Sequence, residues 1–102
     1  MKTYRGDRTI DGVVVEVDGQ DLQYFRDVKQ FSNAAFEWGF EGQAATQLAF
    51  ALLYDHTRDK DHSIRLAKPF MQQVTANFGN EWEMTSADID AAISQVTALA
   101  ER

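Results

Sequence analysis

Eight of the ten residues from Ala44 to Leu53 are Ala, Leu or Phe, interrupted only by Thr46 and Gln47. On a helix over Gln43–Thr57 these side chains cover nearly the whole circumference. A helix that is apolar on every side cannot lie on a surface, and must be wrapped by the rest of the domain. The chain has 102 residues, enough for one core and no second one. Residues 1–102 are therefore read as a single domain built around this helix, with 44% hydrophobic residues to pack it.

The material for wrapping it is mixed. Val13, Val15 and Val17 alternate with Val14, Glu16 and Asp18, the period of a half-buried strand. Lys2–Arg5 reads as its partner. Gly6-Asp7 and Asp11-Gly12 read as turns flanking a short piece at Thr9-Ile10, and Asp18-Gly19 closes the Val-rich strand. Residues 20–33 fit neither period and are expected to be irregular with a helical turn. Ala35–Trp38 is expected as a short strand ending at Gly39. Past the central helix, a second helix starts near Asp61 or Ser63, with Ile64, Ala67, Phe70, Met71, Val74 and Phe78 on one face. Pro69 is expected to kink or restart it, and Gly79-Asn80 to end it. Glu81–Met84 reads as extended. Thr85 caps a last helix, with Asp88 three residues on and a buried face of Ile89, Ala92, Ile93, Val96, Leu99 and Ala100. The fold class is α+β: a small antiparallel sheet of about three or four short strands packed on three helices.

Composition excludes several functions. There is no cysteine, hence no disulfide framework, no Cys-based zinc site and no thiol nucleophile. The polar start shows no signal peptide, and Ala44–Tyr54 is too short to span a bilayer, so the expected location is the cytoplasm. The net charge of −6 argues against direct nucleic-acid binding. Ser32, Ser63, Ser86 and Ser94 lack the setting of a nucleophile. His56 and His62, beside Asp55, Asp59 and Asp61, read as a solvated connector rather than a metal site. No catalytic residue, cofactor or metal is expected. Gly39-x-x-Gly42 reads as a tight entry into the central helix rather than a phosphate nest, because Glu37 and Glu41 would repel an anion.

The charge is unevenly spread. Nine of the ten Lys and Arg lie in residues 1–68, and the tenth is Arg102. From residue 69 to 101 there are only acids: Glu81, Glu83, Asp88, Asp90 and Glu101. Carboxylates three or four residues apart on a helix stand about 5–6 Å from one another, a spacing that can follow a basic groove built for nucleic acid. The expected contact residues are Glu81, Glu83, Asp88 and Asp90, with Asp55, Asp59 and Asp61 as a second cluster.

Tyr4-Arg5-Gly6-Asp7-Arg8, Gly12-Val13-Val14-Val15-Glu16-Val17-Asp18-Gly19 and Phe36-Glu37-Trp38-Gly39-Phe40, leading into Gln47–Leu53, resemble a family of small proteins of unknown function found in bacteria, haloarchaea and their phages. The Phe-Glu-Trp-Gly segment is its most specific part. The resemblance implies a mobile-element context. In that context an acidic, monomeric domain is expected to inhibit host defence as a DNA mimic, its partner a basic nucleic-acid-binding protein such as a CRISPR effector subunit. The alternative expectation is an accessory domain that binds a metabolite or a protein at an aromatic pocket near Trp38, the Gly39–Gly42 loop and Tyr54.

Overall fold

The computed structural model describes residues 1–100 without the Ala100 side chain; Glu101 and Arg102 lie outside it. The strands are β1 (Thr3–Thr9), β2 (Gly12–Val17), β3 (Gln20–Asp21) and β4 (Glu81–Thr85), in the antiparallel order β3-β2-β1-β4. The helices are α1 (Gln43–Thr57), α2 (Lys60–Gln73) and α3 (Ser86–Ala100), with a 3-10 turn at Thr75–Asn77. The α+β expectation holds.

Strand parity decides what the sheet shows to each side. Tyr4, Val15, Trp82 and Met84 are buried in one cluster with Leu48, Leu52, Phe70 and Ile89 from the helices. Arg5, Val14, Glu81 and Glu83, one residue out of phase, are exposed. All helices therefore pack on one sheet face. At the centre is α1, with every residue from Ala45 to Leu53 buried. Helix α3 contributes Ile89 and Val96 to the core, whereas Leu99 is 42% exposed.

Several local expectations are corrected. Strand β1 runs unbroken through Gly6-Asp7. Gly6 sits in it because the Trp82 indole lies against its backbone: an added Cβ would be 2.3 Å from Nε1 and 2.4 Å from Cε2. The turn between β1 and β2 is Ile10-Asp11, joining the register pair Thr9 and Gly12. The short strand β3 follows the Asp18-Gly19 turn, where both φ values are positive (51° and 84°), the geometry that matches strand twist in two-residue hairpins.

Ala35–Trp38 forms no strand. It is held by Arg8 Nη2 donating to Trp38 O (3.0 Å) and Gly39 N–H donating to Thr75 O (2.9 Å), so its backbone is fixed by single contacts rather than a ladder. Helix α2 begins at Lys60 behind an Asp59 cap and passes through Pro69 without restarting. The acceptor that Pro69 leaves without its intrahelical donor belongs to Arg65, an exposed position where water can serve. The helix ends at Gln73, so Val74 and Phe78 reach the core from the segment beyond it.

Candidate acidic sheet face

The seven acids singled out by charge alone have different fates. Asp55 is only 8% exposed and serves the core. Its Oδ2 accepts from the Tyr4 hydroxyl (2.7 Å) and from Lys2 Nζ (3.1 Å). Burial first, and then the bond to the Asp55 carboxylate, push the Tyr4 phenol well above its ordinary range. Asp59 accepts the His62 N–H as the cap of α2, 3.1 Å away. Asp88 and Thr85 form a reciprocal capping box, with Asp88 Oδ2 accepting from Thr85 N (2.9 Å) and Thr85 Oγ1 from Asp88 N (3.2 Å). Asp90 lies 2.6 Å from His56 Nε2 and ties α3 to α1. Asp61 is exposed in the first turn of α2. Of the expected contact residues Glu81, Glu83, Asp88 and Asp90, and the second cluster Asp55, Asp59 and Asp61, burial removes Asp55 from the surface and leaves the other six exposed. Asp55, Asp59 and Asp88 have local structural work.

Glu81 and Glu83 do face solvent, on the bare side of β4. The sheet brings them beside acids that charge counting along the sequence does not connect. In register, Asp7 faces Glu81 and Glu16 faces Asp21, two like-charge pairs across strands. Arg5 stands between Glu16 on β2 and Glu83 on β1's other side. Five carboxylates and one guanidinium thus share the uncovered face. Arg5, Gly6, Asp7, Glu81 and Glu83 line a cleft of about 380 Å³ there. Directly opposed like charges on a sheet destabilise it. Strand parity was the signal: once Val13, Val15, Trp82 and Met84 point inward, Glu16, Glu81 and Glu83 must point outward together.

The aromatic residues of the sequence reading are structural. Trp38 is fully buried and meets Trp82 edge to face at 5.8 Å, and Phe78 stacks on Trp82 at 4.4 Å. Neither indole Nε1 has a hydrogen-bond partner among the described residues. Phe36 stacks on Tyr24 at 3.9 Å, and Glu37 accepts from Arg8 at 2.6 Å. Gly39 holds a φ of 87°, which side chains rarely adopt. Each residue of Phe36-Glu37-Trp38-Gly39 thus has an architectural task. Of the pocket expected near Trp38, the Gly39–Gly42 loop and Tyr54, only the loop lines a cleft: one of about 490 Å³, with Glu41 and Gly42 beside Phe31, Thr46, Lys68 and Met71. Trp38 is not among them because it is sealed in the core.

Among the described residues, no group of three or more His, Cys, Asp or Glu side chains is placed to hold a metal ion. No described helix is long and apolar enough to cross a membrane.

The fold and the face together define a small α+β domain with helices on one side of its sheet and a bare acidic side opposite. The chain belongs to a family of unknown function (DUF6166), which it matches over residues 4–95. No curated protein and no solved structure matches it.

Proposed function

We propose that this protein is a binding domain whose bare acidic sheet face docks on a basic, nucleic-acid-binding surface of another protein. The carrying observation is the two like-charge register pairs, Asp7 opposite Glu81 and Glu16 opposite Asp21, on a face with Arg5 as its one cation among the described residues. Such pairs weaken the sheet and help only when something positive arrives. The same face would steer a basic partner into contact, with association that falls as salt rises. Competition with nucleic acid follows from occupying a surface built for phosphates. Inhibition of a defence complex that binds nucleic acid, such as a CRISPR effector subunit, is the instance of this activity that a phage or prophage setting favours.

The test is salt-graded affinity capture from lysate of the source cell, comparing wild type with Glu81→Lys/Glu83→Lys. The expected result is recovery of nucleic-acid-binding proteins at low salt, their displacement by duplex DNA, and about tenfold weaker capture by the double variant. The variant should stay within about 1 kcal/mol of wild type, because Glu81→Lys turns a repulsive pair with Asp7 into an attractive one while Glu83→Lys does the reverse opposite Arg5. Equal capture by wild type and variant, or capture that ignores salt, overturns the proposal.

A further inference from the structure

The two edges of the sheet differ. The β4 edge is guarded by the exposed carboxylates Glu81 and Glu83. The β2 edge is not. β3 covers it only at Glu16↔Asp21 and Val17↔Gln20, and the last bond on that side runs from Leu22 N–H to Val15 C=O at 3.0 Å. The chain then turns away. In an antiparallel strand, the N–H and C=O groups of alternate residues face the same edge. Val13, two residues from Val15, therefore presents both groups to the open side. Beside it, Val14 is 41% exposed. Natural sheets avoid leaving an apolar edge uncovered, because it invites another strand.

A cleft of about 310 Å³ adjoins this edge, with Val13, Asp21, Leu22, Tyr24 and Phe36 among its walls. Its aromatic side is fixed in place. The Tyr24 and Phe36 rings stack at 3.9 Å, and the Arg26 guanidinium lies 4.0 Å over Tyr24 while donating to Ser32 O at 2.9 Å.

We propose that this edge is a strand-addition site for an extended segment of a protein in which apolar residues alternate with Lys or Arg. The alternation follows from parity. A guest residue opposite Val13 lies on the inner side, over Tyr24 and Phe36, and exchanges both backbone bonds with Val13. The guest residue opposite Val14 lies on the outer side. There it follows Asp21 along the same strand line, about 7 Å away, and faces Asp7 across Val14. The outer-face cation Arg5 lies beyond Glu16, on β1. Apolar side chains fit the inner positions and cations the outer ones. The sign of the guest's charge rests on the acidic-face reading; the edge and its cleft stand apart from it.

The experiment is an NMR titration of the ¹⁵N-labelled full chain with the capped peptide Lys-Phe-Lys-Val-Lys-Val. The expected result is saturable shifts at Gly12–Val15 and Leu22–Tyr24, with exchange of the Val13 N–H slowed at least tenfold. The same peptide N-methylated at Phe and Val should bind at least tenfold more weakly, a comparison that needs no variant to fold. Val13→Pro removes the edge-facing donor without touching the ladder to β1, and should weaken the peptide equally. Shifts confined to Arg5, Asp7 and Glu83, with Val13 unmoved, would overturn the edge site and leave the acidic face standing. A Glu-Phe-Glu-Val-Glu-Val peptide that binds the edge as tightly would overturn the charge assignment, and with it the acidic-face reading. Shifts at Val13 that grow with protein concentration in the absence of peptide would mean that a second copy occupies the edge, and would overturn the proposal.

Discussion

Replacing Gly6 with Ala adds one methyl group, and the structure states what it meets. The new Cβ would stand 2.3 Å from Trp82 Nε1, 2.4 Å from Cε2 and 2.7 Å from Cζ2. Ordinary contact begins near 3.4 Å, so the ring must retreat by roughly 1 Å or the strand must bow. Retreat is blocked. Phe78 stacks on the Trp82 ring at 4.4 Å, and Trp38, itself fully buried, lies against it edge to face. Overpacking of a confined site costs about 1–3 kcal/mol, and this geometry belongs at the upper end. For a domain of this size, about 2–3 kcal/mol lowers Tm by roughly 10–20 °C. Urea denaturation followed by far-ultraviolet circular dichroism measures it. The companion Trp82→Leu removes the obstacle, so Gly6→Ala introduced into that background should cost at least about 1 kcal/mol less than in wild type. A Gly6→Ala protein within about 0.5 kcal/mol of wild type, or strict additivity with Trp82→Leu, would refute the packing argument.

Gln47→Leu should destabilise the fold by about 2–4 kcal/mol and speed amide exchange in residues 24–32, because it strips four hydrogen bonds from backbone groups there; exchange unchanged in that segment would refute this. Tyr4→Phe should cost about 1.5–3 kcal/mol through the lost bond to the Asp55 carboxylate, read from the denaturation midpoint. Because the folded-state phenol is raised above its ordinary value of 10.0, the folded protein holds this proton more tightly than the unfolded chain. Wild-type stability should therefore fall as pH rises past 10, by up to about 1.4 kcal/mol per pH unit from this group, and that slope should be absent in Tyr4→Phe.

The central helix, the Val-rich strand and the last helix were legible because each announces itself locally, by all-round apolarity, by alternation, or by a cap. What was misread depended on distant partners. Gly6 looks like a turn residue until Trp82, 76 positions away, is seen to lie on it. Phe36-Glu37-Trp38 has the composition of a strand, but it joins no ladder, and Arg8 and Thr75 hold it instead. The acidic residues show the same limit. The Thr85–Asp88 box is visible within four residues. The use of Asp55 as an acceptor for Tyr4 is not, nor is the meeting of Asp7 with Glu81, since both depend on sheet register. Counting charge along the sequence finds acids; only strand parity says which of them share a face.

Gln47 carries one more consequence. Fully buried on α1, it takes bonds on Oε1 from the N–H groups of Phe31 and Ser32, and gives bonds from Nε2 to the carbonyls of Tyr24 and Lys29. All four sites of its amide are filled, and every partner is main chain. A stretch without regular structure is thus moored to α1 at four points of its main chain by one amide, while the rings of Phe25 and Phe31 pack on Tyr54 and Phe50 of the same helix. Losing that glutamine would release the main chain at Tyr24, Lys29, Phe31 and Ser32 together, whatever side chains stand there.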